Sequence, residues 1–149
     1  MNNVFTPEHI LFDANSTTQS EALAFIATEA KKLNIIDCAE SFTKGLEARE
    51  AHDSTGFIGG IAVPHCKSKH VITPAIFVVR FAHSIEWNTM DDSPITTVIS
   101  FAIPEQGCED NLRMLTKLSR AMMKMDIRQA LQQGDAETVT ETLLNVIDN

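Results

Sequence analysis

The sequence predicts a layered α/β fold, a mixed β-sheet flanked by α-helices, and three observations carry the prediction. Both ends of the chain place apolar residues at helical spacing. The middle holds two near-continuous, β-branched apolar runs of strand length, "AIFVVRF" at 75–81 and "ITTVISFAI" at 95–103. Such runs suit strands covered on both faces, as in α/β sheets. Finally, 149 residues with 44% hydrophobic and 21% charged side chains form one domain of ordinary size, 1–149, without repeats or linkers.

Residues 18–34 read as an amphipathic helix: Thr18 and Glu21 have capping-box spacing, and Leu23, Ile26, Ala30 and Leu33 recur on one face. A second helix is expected to open at Asp37, with Glu40 three residues on and Phe42 and Leu46 facing inward. "STGFIGG" at 54–60 is a turn-rich approach to a short strand, Ile61–Val63, which Pro64 ends. Trp87 falls between the two long strands, in a short strand or a loop. After residue 103, Leu112, Leu115, Leu118 and Met122 make an apolar helical stripe. Asp126 is a candidate N-cap for a further helix that Gly134 stops, and Asp135 can start the last, with Val139, Leu143 and Ile147 inward.

Composition narrows the function. A net charge of −8 argues against nucleic acid, whose binding rests on basic side chains, and suits a protein that docks a basic partner. No run approaches the roughly 18 apolar residues of a membrane span, and the N-terminus has no secretory pattern. Cys38, Cys66 and Cys108 make no disulfide framework and fit reduced thiols in a cytoplasm.

The stretch "GGIAVPHCKSKH" at 59–70 holds the densest chemistry. His65 follows a strand that Val63–Pro64 terminates, so it is expected at the strand exit on a stiff backbone, where α/β sheets tend to bind ligands. Gly59 and Gly60 permit close approach by a ligand or another segment. A satisfied core or surface histidine is the alternative, and the residues alone leave both open. His65, Cys66, His70 and Cys108 lack usual zinc spacing, so no metal is expected. Cys66 as nucleophile would need a base other than its sequence neighbour, with an oxyanion hole that no pattern supplies. "STGFIGG" lacks the Lys-Ser/Thr ending of a phosphate loop and reads as a turn.

Arg49 follows Leu46 by three positions and Phe42 by seven, which points it toward the buried side near the end of its helix. There it is either a solvated helical arginine or a bidentate clamp for an anionic group. Glu50 is a partner that orients nearby side chains, or exposed.

"ARE-x4-TGFIGGIAVPH", "VITPA" at 71–75 and "FAIPEQGCEDNLRMLTKLSRAM" at 101–122 resemble the fructose–mannitol class of EIIA domains of the bacterial phosphoenolpyruvate-dependent sugar phosphotransferase system. The resemblance spans about residues 15–147. It implies the same layered fold, with His65 as phosphoryl acceptor and Arg49 as phosphate clamp. It implies a covalent phosphoryl group and no separate cofactor, HPr as donor, and a cysteine of an EIIB component as acceptor, with EIIC in the membrane. It further implies that Nε2 is the acceptor atom, with Nδ1 held by a backbone carbonyl. Ser54 and Thr55 are candidates for the phosphate environment, or turn residues. "IEWNTMDDSP" at 85–94 resembles the sugar branch; the nitrogen-regulatory branch, which signals by phosphorylation state, is the alternative.

The sequence departs from that class twice. Asn111 stands where many members have a second histidine, in "EDNLRML". It either hydrogen-bonds near the phosphate at a helix N-terminus, without becoming cationic, or merely caps the helix. Cys66 stands where the class often has glycine, an oxidisable thiol beside the site.

Overall fold

A computed structural model of the chain describes residues 4–148. A single 3-10 turn (Pro7–His9) leads into β1 (Ile10–Asp13), followed by α1 (Gln19–Lys32), α2 (Ala39–His52), β2 (Ile61–Ala62) and β3 (His65–Ser68). Then come β4 (Ala75–Ile85), β5 (Ile95–Pro104), α3 (Glu109–Ala121), α4 (Met125–Gln133) and α5 (Ala136–Asp148). The five strands form one mixed sheet. β1 runs parallel to β4, β4 antiparallel to β5, and β2 and β3 both run parallel to β5 along its other side.

Strand alternation sends side chains to two cores, one on each face. Ala75, Phe77, Val79 and Phe81 of β4 pack with Leu23, Ile26, Phe42 and Leu46 of α1 and α2. Ile76 and Val78 pack on the other face with Leu118, Met122, Leu131, Val139 and Leu143 of α3, α4 and α5. Phe42 and Phe77 are fully buried, and each such side chain contributes about 1.5–3 kcal/mol. The expected layered α/β architecture is the one observed.

Several boundaries differ from the sequence expectation, each for a local reason. Thr18 does cap α1, its hydroxyl accepting from the Glu21 N–H at 3.1 Å, but the Glu21 carboxylate reaches back to the Thr17 N–H at 2.8 Å. Asp37 does not open α2. Its carboxylate pairs with His70 at 2.8 Å and its N–H bonds the His70 carbonyl, so the helix starts at Ala39. Asp126 lies in the first turn of α4, whose N-cap is Lys124, whereas Asp135 caps α5 through the Thr138 N–H at 2.8 Å. Trp87 is in a loop, and β1 was not anticipated.

The most consequential difference concerns His65, which is not at a strand exit. Val63 and Pro64 interrupt the strand, and His65 resumes it opposite Phe101. Proline lacks an N–H, but its carbonyl still accepts from the Phe101 N–H at 3.1 Å, so the edge survives the break.

Candidate functional site

α2 and β3 bring Arg49 and His65 together. Gly45, one turn before Arg49, lets the helix approach β3 closely: a Cβ there would overlap the Cys66 sulfur. Arg49 Nε donates to His65 Nε2 at 3.2 Å, and Arg49 Nη1 donates to the Asp53 carbonyl at 2.6 Å, where α2 ends. His65 Nδ1 lies 2.8 Å from the Val63 carbonyl.

These contacts specify a tautomer. A carbonyl can only accept, so Nδ1 carries the proton; a guanidinium can only donate, so Nε2 presents its lone pair. Burial presses the imidazole pKa below its usual value, and the Arg49 charge adds to that, against the opposing pull of the Val63 carbonyl. The ring is therefore neutral near pH 7, with one nucleophilic nitrogen facing a cation that can move onto an incoming anion. His9 shows the contrasting structural case. It is buried, its Nδ1 faces the Ile76 carbonyl at 3.0 Å, and its ring packs on Phe77.

Two openings meet at this pair. One, about 120 Å³, is lined by Arg49, His65, Ser54, Thr55, Met90 and Ser119 among others. The other, about 490 Å³ and mostly apolar, is lined by Arg49 and His65 with Cys66, Ile103, Leu112 and Leu115. Leu112, which the sequence places on an apolar stripe, is exposed beside this slot, while Leu115 lines the slot and packs partly against the core.

Glu50 does not touch His65. Its carboxylate accepts the Thr55 N–H at 3.1 Å, the Trp87 Nε1–H at 3.2 Å and the Thr55 hydroxyl. Ser54 donates its hydroxyl to the Asn88 carbonyl and accepts the Gly56 N–H at 3.1 Å. Glu50, Ser54 and Thr55 thus pin the 54–56 turn to the 86–88 loop, and that turn forms one wall of the small cavity. Ser54 and Thr55 lie in the loop after α2 and line the cavity.

Asn111 is buried in the first turn of α3. Leu115 and Ser119 follow at i+4 and i+8; Leu115 lines the larger opening and Ser119 the smaller, while Asn111 lines neither of the two. Among the described residues, no hydrogen bond joins Asn111 to His65 or Arg49. Cys66 is buried, and burial raises its thiol pKa to about 11, so it is not a thiolate near neutrality. Sequence reasoning missed Ser119 and Met90. Ser119 had a weak signal in its helical spacing from Asn111; Met90 had none.

Comparison with known proteins gives the family and the fold. The profile for "Phosphoenolpyruvate-dependent sugar phosphotransferase system, EIIA 2" matches residues 3–146. The chain is 30% identical to a fructose-specific EIIA component of the phosphotransferase system from Haloferax volcanii, over 98% of this chain and 96% of that one. Among solved structures, the nitrogen regulatory protein IIA-Ntr of Neisseria meningitidis superposes with a TM-score of 0.83 at 22% identity, covering 94% of this chain and 96% of that one. The mannitol enzyme IIA of Escherichia coli, solved in complex with phosphorylated mannitol enzyme IIB, superposes with a TM-score of 0.75 at 19% identity, covering 95% and 97%.

Proposed function

The chain belongs to the EIIA 2 family of the phosphoenolpyruvate-dependent sugar phosphotransferase system, and from that premise we propose that it carries a phosphoryl group on His65, received from phosphorylated HPr and passed to a cysteine of an EIIB component during sugar uptake. The observation that carries the proposal is the His65 tautomer: Nδ1 is committed to a carbonyl and Nε2 is left to attack, beside Arg49.

The transfer balances simply. The Nε2 lone pair forms an N–P bond as the donor imidazole's P–N bond breaks, the donor nitrogen keeping that electron pair. Arg49 then turns from Nε2 to the equatorial oxygens, where the charge of a loose phosphoryl transition state lies. In the second step the EIIB thiolate attacks phosphorus and His65 leaves with its lone pair restored. Leu112 and Leu115, beside the apolar slot, offer the surface against which both partners dock. No described helix is long and apolar enough to cross a membrane, and we place the carrier in the cytoplasm, handing phosphate to a membrane-bound EIIC through EIIB. The fructose-specific relative favours transport over the nitrogen-regulatory role.

Incubation with phosphoenolpyruvate, Enzyme I and HPr tests the site. One phosphoryl group mapping to His65 is expected, with discharge on adding EIIB. No phosphorylation of the folded chain would refute the carrier role; a His65-phosphorylated chain that no EIIB discharges would move the reading to the regulatory branch.

A further inference from the structure

Ser119 lies on α3 and lines the small cavity together with the 54–56 segment. A hydroxyl inside a helix usually returns to the carbonyl four residues back, and Thr116 of α3 does so, to Leu112 at 3.1 Å. The Ser119 hydroxyl makes no such bond among the described residues, although it lines the same 120 Å³ cavity as His65 and Arg49. The other two hydroxyls on that cavity are already committed: Ser54 to the Asn88 carbonyl and Thr55 to Glu50. The volume corresponds to about four water molecules at roughly 30 Å³ each, room for a phosphoryl group.

Resting on the carrier reading above, we infer that Ser119 is a further catalytic residue, whose hydroxyl donates a hydrogen bond to an equatorial oxygen of the phosphoryl group on His65 Nε2. Three features of the molecule make it the donor. It is the uncommitted hydroxyl on the cavity wall. It sits at i+4 from Leu115 and i+8 from Asn111, on the helix face turned to the site. Arg49 is the one guanidinium among the residues lining this cavity, and a neutral donor beside it completes the coordination of the oxygens. The phosphoryl group moves as described above; the hydroxyl keeps its proton throughout and adds no step.

The test measures single-turnover phosphorylation of the full chain by phosphorylated HPr for the wild type, Ser119→Ala, Ser119→Thr and a His65→Ala control. The expected result for Ser119→Ala is a maximal rate lower by about 10- to 100-fold, the loss of one hydrogen bond to a charged group. The half-saturating HPr concentration and thermal midpoint stay unchanged, and Ser119→Thr recovers most of the rate. An unchanged maximal rate, a loss confined to half-saturation, or a failure of threonine to rescue would each overturn the inference while leaving His65 as carrier. A wild-type chain that takes no phosphate on His65 would overturn both readings together.

Discussion

Arg49 Nε reaches His65 Nε2 across 3.2 Å while the Val63 carbonyl holds Nδ1 at 2.8 Å, so in the proposed carrier role the residue that would stabilise the anion also covers the nitrogen that would attack. Two effects of Arg49→Ala follow from the one contact. Phosphorylation should slow by a few tens- to a thousand-fold, since a charge-stabilising donor is lost. The acid limb of the rate profile should also move to higher pH, because the Arg49 charge helps hold the His65 pKa down. Arg49→Lys should restore the limb better than the rate, a lysine being a point charge without the planar fork. A pH–rate series on the three proteins checks this; a rate loss with no shift of the limb would mean that Arg49 binds phosphate without shaping the resting histidine.

Glu50 holds together one wall of the small cavity beside His65. Glu50→Ala leaves the buried Thr55 N–H and hydroxyl and the Trp87 indole N–H without their acceptor, at a cost of about 1–3 kcal/mol for an unsatisfied buried group. Trp87 is the only tryptophan, so its emission reports the site directly. The variant should unfold at lower urea and its native emission should shift to the red. Glu50→Gln, which keeps an acceptor oxygen, should lose less on both counts. Native emission identical to wild type in Glu50→Ala would show that the loop holds its place without the carboxylate.

His65 also makes stability depend on pH. Burial depresses its pKa in the folded state, whereas the unfolded chain titrates near 6.5. Below about 6.5 the unfolded state therefore binds a proton that the native state refuses, and stability falls as pH drops until the folded pKa is passed. Protonation of Nε2 also ends its role as acceptor for Arg49. The stability difference between wild type and His65→Gln, from urea melts between pH 8 and 5, should move against the wild type on acidification. A difference independent of pH would mean that the imidazole is as easily protonated folded as unfolded.

The core was legible because its signal is local: the β4 and β5 runs are long and apolar. The residues alone leave His65 and Arg49 open, and it is the family resemblance that puts both at one site. What escaped depended on contacts between distant segments. Pro64 reads as a stop, and only the Phe101 N–H reaching its carbonyl shows that the edge strand continues into His65. β1 is four residues with no alternation, created by pairing with β4. Leu112 fits an apolar stripe by spacing, yet it is exposed beside the slot because Leu118 and Met122, with Leu115 partly against them, already fill the core side of α3. Asp37 looked like a helix start until His70, 33 residues away, claimed it.

The spacing between α2 and β3 rests on Gly45 and Cys66, and the last prediction concerns that pair. Alanine in place of a glycine inside a helix ordinarily gains about 1 kcal/mol. At Gly45 the new methyl group would overlap the Cys66 sulfur, which is buried against it, and overpacking costs about 1–3 kcal/mol. Gly45→Ala should therefore destabilise the wild type. In a Cys66→Ala background the sulfur is gone, the methyl group enters vacated space, and the same substitution should stabilise. Arg49 lies one turn beyond Gly45 and His65 is the neighbour of Cys66, so forcing the two elements apart also stretches the 3.2 Å contact between them. Gly45→Ala should accordingly slow phosphorylation as well as lower the urea midpoint, with Cys66→Ala restoring both. Four urea curves and four transfer rates complete the cycle. Strict additivity would separate the two positions and leave the Arg49–His65 distance to be set by the rest of the α2–β3 contact.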